Sequence, residues 1–112
     1  MAKIVRFRDT DTGKISYTAK VVKTIVLLAA GEIEGVVSVG KDKKNKYNGV
    51  ELKFFEEGIE VDVFITILYG FQALDIASKI QEAVKRNVEI MTQYKILTTN
   101  INVVGVSFAT EE

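Results

Sequence analysis

The sequence contains no histidine, cysteine, tryptophan or proline in its 112 residues. Histidine is the commonest general acid–base residue of enzymes, and thiolate and imidazole groups are the usual zinc ligands. Without them the chain lacks the usual nucleophile–base pairs. It has no Gly-x-Gly-x-x-Gly dinucleotide motif, and we expect no phosphate-binding loop. The composition therefore predicts a protein that acts by contact, with no catalytic residue, no cofactor and no metal site.

The size and composition are those of a small folded domain. The chain is 47% hydrophobic and 27% charged, which is ordinary for a globular protein, so we expect one domain over residues 1–112. The longest apolar run, residues 25–30, is far shorter than the roughly 20 residues that span a bilayer. The N-terminal residues show no secretion signal. These features predict a cytoplasmic protein without a transmembrane segment.

The two halves of the chain carry opposite charge, although the whole chain is neutral. Residues 1–50 contain ten Lys or Arg and five Asp or Glu, whereas residues 51–112 contain five and ten. Such a dipole steers a partner or favours head-to-tail association. Alternatively, the charges simply cover the surfaces that face water.

The N-terminal third predicts one long helix. Residues 3–8 have short-strand character, and a turn-forming cluster follows at residues 9–13. Ser16 is a suitable N-cap, so we expect a helix over residues 17–34 that stops at Gly35. Its predicted core-facing residues, chosen by helical spacing, are Ala19, Val22, Val26, Ala29 and Ile33.

Alternating apolar residues predict a β-hairpin in the middle of the chain. Val36–Val39 is a candidate short strand before it. A two-residue turn at Glu57 and Gly58, with the glycine supplying a positive φ, would join the two hairpin strands. A shift by one residue would bury charged side chains. The predicted register pairs Phe54 with Val61, Leu52 with Val63 and Val50 with Ile65, and places Lys53 opposite Asp62.

The C-terminal half predicts a second helix over Ala73–Thr92 and a final strand over residues 96–108. The apolar parity changes beyond Gly105, which indicates a bulge, and a crossover helix leaves the strands on either side of it parallel. The predicted fold class is α+β: one two-layer domain with a mixed three- to four-stranded sheet and two helices on one face. The predicted apolar stripe of the second helix comprises Ile76, Ala77, Ile80, Ala83, Val84, Val88 and Met91.

Large apolar side chains remain after the predicted core is filled. Three lie off the core stripe of the first helix, which therefore packs between two layers or contributes to a subunit interface. Three more stand among charged residues on the outer face of the hairpin, and several large apolar residues on one sheet face mark a contact surface. The candidate partner interface comprises Ile25, Leu27, Leu28, Phe55, Phe64 and Leu68.

A basic segment precedes the hairpin. Lys41, Lys43, Lys44 and Lys46 lie within six residues and are candidates for contact with an anionic surface, at about 1 kcal/mol per lysine near an acidic membrane. A solvated loop is the alternative. We do not expect nucleic-acid binding by the hairpin phenylalanines, because the carboxylates around them repel phosphate.

Five segments in order carry a family resemblance. They are residues 28–36 (LAAGEIEGV), 61–70 (VDVFITILYG), 76–84 (IASKIQEAV), 88–92 (VEIMT) and 101–108 (INVVGVSF). Their order and spacing resemble the alkaline shock protein family, which are cell-envelope stress-response proteins of Gram-positive bacteria. The resemblance covers about residues 14–108. Two departures are Ala73-Leu74, where Pro often precedes the second helix, and Tyr94, where Gly often follows Met-Thr.

The resemblance implies a non-enzymatic cytosolic protein that self-associates. It also implies docking at the inner face of the membrane, through a small membrane-anchored protein with a similar domain. We therefore expect an envelope-stress scaffold. The alternatives are a weak nucleic-acid or anionic-lipid binding module that uses the four lysines, and an accessory protein of a lipid-metabolism enzyme.

Overall fold

A computed structural model describes residues 12–40 and 49–108 of the chain. The predicted fold class is confirmed: two helices pack on one face of a mixed four-stranded sheet. No helix in these two ranges is long and apolar enough to cross a membrane. The elements in chain order are α1 (Thr12–Gly31), β1 (Val36–Val39), β2 (Val50–Phe54), β3 (Ile59–Leu68), α2 (Ala73–Thr92) and β4 (Ile96–Ser107).

The long strand β3 is the centre of the sheet. Along one edge it pairs antiparallel with β2 through residues 59–63 and with β1 through residues 65–67. Along the other edge it pairs with β4 over its whole length. The pairing of β3 with β4 is parallel, as the crossover through α2 predicts. Within the described ranges β4 pairs with β3 alone.

The core lies between the sheet and the helix layer. Alternate β3 residues are buried against the helices, which confirms the alternation that predicts this strand. The helix α1 contacts β1 and β2, α2 contacts β4, and the two helices contact each other. Four of the predicted α1 core residues are buried, while Ile33 lies beyond the helix and is half-buried. On α2 the buried residues are Ile76, Ile80, Ala83, Val84 and Val88, whereas Ala77 is half-buried and Met91 is exposed.

The predicted limits of the first helix are wrong at both ends. The helix already begins at Thr12, so Ser16 lies inside α1 and is not its N-cap. A glycine near a helix start, such as Gly13, costs only about 1 kcal/mol and does not prevent the first turn. At the other end α1 stops at Gly31, and the chain turns through Gly35, whose φ is 99°. The predicted strand at residues 3–8 and most of the predicted turn lie outside the described residues.

The predicted hairpin register is wrong by two residues. Phe55 and Gly58 exchange backbone hydrogen bonds, at 2.8 and 3.2 Å, around the two-residue loop of Glu56 and Glu57. A shift of two residues leaves every side chain on the same face, so the apolar pattern does not distinguish the two registers. The observed pairs are Val50 with Val63, Leu52 with Val61 and Phe54 with Ile59, and Lys53 lies opposite Glu60 and forms an ion pair with it at 3.7 Å.

Two bulges interrupt the pairing of β4 with β3. Ile65 pairs with Val103 and Thr66 with Gly105, so Val104 has no partner in β3. This confirms the bulge predicted near the glycine. A second irregularity leaves out Leu97 near the start of β4. Both bulges change which side chains of β4 face the helices.

Candidate protein-binding surface

The six predicted interface residues fall into two separate sets. Phe64 and Leu68 are half-buried on the sheet face opposite the helices, with Phe55 half-buried at the end of β2. Ile25 and Leu27 are half-buried on α1 and pack against the core, whereas Leu28 is exposed. The structure does not bring the two sets together, since α1 and the outer sheet face lie on opposite sides of β3. The four predicted lysines, Lys41, Lys43, Lys44 and Lys46, lie outside the described residues.

One segment partly matches a phosphate-binding loop, although we expected none. Residues 35–41 have the spacing Gly-x-x-x-x-Gly-Lys, but Asp42 follows where the motif requires Ser or Thr. The positions between the glycines form β1, which pairs with β3. The N–H of Gly40 donates to the carbonyl oxygen of Phe64 at 2.8 Å. A phosphate-binding loop presents its N–H groups to the ligand, whereas the N–H of Gly40 is used within the sheet. The segment is therefore part of the sheet and not a phosphate-binding loop.

Several exposed apolar residues lie along the end of β4, where sequence reasoning placed no site. Val103 and Val106 pair with the buried residues Ile65 and Ile67, and paired residues of adjacent strands point to the same face. Both valines therefore point toward the helix layer. They are nevertheless 41% and 48% exposed, because the helices do not cover this part of the strand.

Two aromatic rings extend this surface past the end of the sheet. The N–H of Tyr69 donates to the carbonyl oxygen of Ser107 at 2.7 Å, which holds the ends of β3 and β4 side by side. The rings of Tyr69 and Phe108 lie 4.9 Å apart at an interplanar angle of 34°. Each ring remains largely exposed.

The helix α2 contributes Leu74 to the same surface. The side-chain amide of Gln81 donates to the carbonyl oxygen of Thr99 at 2.9 Å, so this side of α2 faces β4. Leu74 precedes Gln81 by seven residues and lies on the same side within about 20°. The intervening rise of about 10 Å equals three strand residues. Because α2 runs opposite to β4, this rise brings Leu74 to about the level of Val103 along the strand, and Leu74 is 83% exposed.

A difference in length explains why this end of β4 is uncovered. The 20 residues of α2 span about 30 Å, whereas the 12 residues of β4 span about 40 Å. The start of β4 is fixed under the end of α2, because the carboxylate of Glu89 accepts a hydrogen bond from the N–H of Ile96 at 2.9 Å. The excess length therefore projects beyond the start of α2. We call the exposed residues at this projecting end the apolar flank: Tyr69, Leu74, Val103, Val106 and Phe108.

The strand β4 carries no charged residue and no proline. Residues 96–108 include no Lys, Arg, Asp, Glu or Pro, although proteins commonly protect edge strands with charges or proline. An uncharged 13-residue segment was the sequence signal that marked this site. Sequence reasoning used it only to place the strand and its bulge.

The sequence model of the alkaline shock protein 23 family, which is described as having a cell envelope-related function, matches residues 8–108 of the chain. This chain belongs to the alkaline shock protein 23 family. The resemblance inferred from the five sequence segments is thereby confirmed. The match includes every described helix and strand, from the start of α1 to the end of β4.

Two relatives of this family are similar to the chain over most of their length. Uncharacterized protein YqhY of Bacillus subtilis is 28% identical over 113 residues, covering 92% of this chain and 84% of the relative. Uncharacterized protein Spy1614 of Streptococcus pyogenes is 33% identical over 114 residues, covering 87% of this chain and 94% of the relative. The chain therefore aligns with most of the length of each relative.

Solved structures of the MamM CTD have a similar fold. One variant superimposes with a TM-score of 0.51 at 18% identity, covering 78% of this chain and 94% of that one. A second variant gives the same score and identity and is covered to 96%. At this identity the similarity concerns the fold alone.

The structure shows where the two departures from the family pattern lie. Leu74 belongs to the apolar flank. Tyr94 packs its ring edge-on against Phe54, with 6.2 Å between ring centroids and perpendicular planes. This contact joins the segment after α2 to the end of β2.

Proposed function

We propose that this alkaline shock family protein is a non-enzymatic scaffold of the cell envelope. It self-associates in the cytoplasm and is held at the inner face of the membrane by contact with a membrane-anchored protein. The observation that carries the proposal is the apolar flank. Contiguous exposed apolar surface on a small protein commonly marks a site of protein contact.

The distribution of polar groups supports a role in binding by surfaces. Within the described ranges Thr99 is the only buried polar or charged residue. From residue 18 onward, the charged side chains of these ranges are at least partly exposed to solvent. Chemistry at neutral pH commonly uses titratable groups whose pKa is changed by burial and by close charges. The polar groups described here are arranged as a hydrated surface.

A scaffold needs more than one contact surface, and the fold offers candidates on separate sides. The apolar flank lies at the projecting end of the sheet. Leu28 is exposed on α1, and Phe64 and Leu68 occupy the outer sheet face. We assign the apolar flank to self-association and these other residues to the membrane-anchored partner.

The self-association is tested by sedimentation velocity of the purified full chain over a wide concentration range. We expect the mean mass to rise above 12.5 kDa with concentration. A protein that remains monomeric at millimolar concentration would contradict the proposal, since no useful affinity would remain, about 4 kcal/mol at most.

The membrane contact is tested by flotation of the purified chain with two kinds of vesicle. One kind is prepared from membranes of the source cells, and the other from the protein-free lipids of the same membranes. We expect binding to the first only, and loss of binding after protease treatment of those vesicles. Equal binding to both would contradict a protein partner.

A variant separates this result from the lipid alternative. In the quadruple variant Lys41→Gln, Lys43→Gln, Lys44→Gln and Lys46→Gln, attraction to anionic headgroups is removed, whereas a protein-mediated contact through apolar residues is retained. We expect the variant to float with the native vesicles as the parent does. Loss of flotation together with a strong salt dependence would favour the anionic-surface alternative.

A further inference from the structure

We draw no further inference here: the strongest candidate, the apolar flank at the projecting end of β4, already belongs to the proposed function, and nothing in the structure shows what covers it.

Discussion

At the scale of single residues, contacts between backbone atoms decide which glycines can be replaced. A Cβ added at Gly58 would clash with the carbonyl oxygen of Lys95. That oxygen also accepts a hydrogen bond from the N–H of Ile59 at 2.8 Å, so it cannot easily move away. The glycine is needed for this close approach, and its φ of 158° is one that other residues rarely adopt. A Cβ at Gly31 would meet nothing within 4 Å.

We therefore predict that Gly58→Ala lowers the free energy of unfolding by about 1–3 kcal/mol, the usual cost of overpacking. Gly31→Ala is the control at the end of α1. It should leave stability unchanged or raise it by up to about 1 kcal/mol, since alanine favours helix over glycine. Urea unfolding followed by circular dichroism measures both, and equal effects of the two substitutions would contradict the explanation.

At the scale of elements, the end of α2 carries an unfavourable backbone conformation. Gln93, which follows the helix, has a φ of 67° and is left-handed. Its N–H donates to the carbonyl oxygen of Glu89 at 3.1 Å, so the conformation closes the last turn. Glycine is the residue that most often occupies this position.

We predict that Gln93→Gly raises the free energy of unfolding by about 0.5–1 kcal/mol, because glycine adopts the left-handed conformation without steric cost. Gln72→Gly is the matched control at the other end of α2. Gln72 has a φ of −84° and an extended conformation, so glycine should bring no gain there. A stabilisation by both substitutions would show that the left-handed conformation is not the cause.

Sequence patterns predicted the elements better than their contacts. Alternation in β3 and the spacing of apolar residues in α2 gave the faces of these elements, because burial repeats with the period of the structure. The same alternation leaves registers two residues apart equivalent, so Phe54 was paired with the wrong residue. The start of α1 also escaped prediction, since Ser16 suits a helix interior as well as an N-cap.

The exposed surface was less predictable than the core. Exposure of Val103 and Val106 depends on how far α2 reaches along β4, and that distance follows from the contact between Gln81 and Thr99. The periodicity of the sequence alone assigns Val103 and Val106 to a buried face. By contrast, Ile25 and Leu27 look superfluous on a helical wheel but pack against the core, because α1 contacts both β1 and β2.

At the scale of the whole molecule, stability depends on β3, which touches every other strand. Ile65 is fully buried at the level where β3 pairs with both β1 and β4. Small proteins are stable by only about 5–15 kcal/mol. A cavity at this position therefore removes a large share of the free energy of unfolding.

We predict that Ile65→Ala lowers the free energy of unfolding by about 2–5 kcal/mol, through lost burial and the cavity left behind. Ile90→Ala removes the same atoms from an exposed position, and it should change stability by less than about 0.5 kcal/mol. Chemical denaturation compares the two variants. Similar losses from both would show that β3 is not central to the stability of the fold.

Because β4 follows α2 in the chain, the pairing of the central strand is completed late during synthesis on the ribosome. The parallel partner of β3 is complete only when residue 107 has been added, and translation of the 39 residues after Leu68 takes roughly 2–8 s. Throughout that interval the nascent chain has the hairpin but lacks half of the bonding for its central strand. The edge of β3 that β4 later occupies is a template for pairing with other strands during this time.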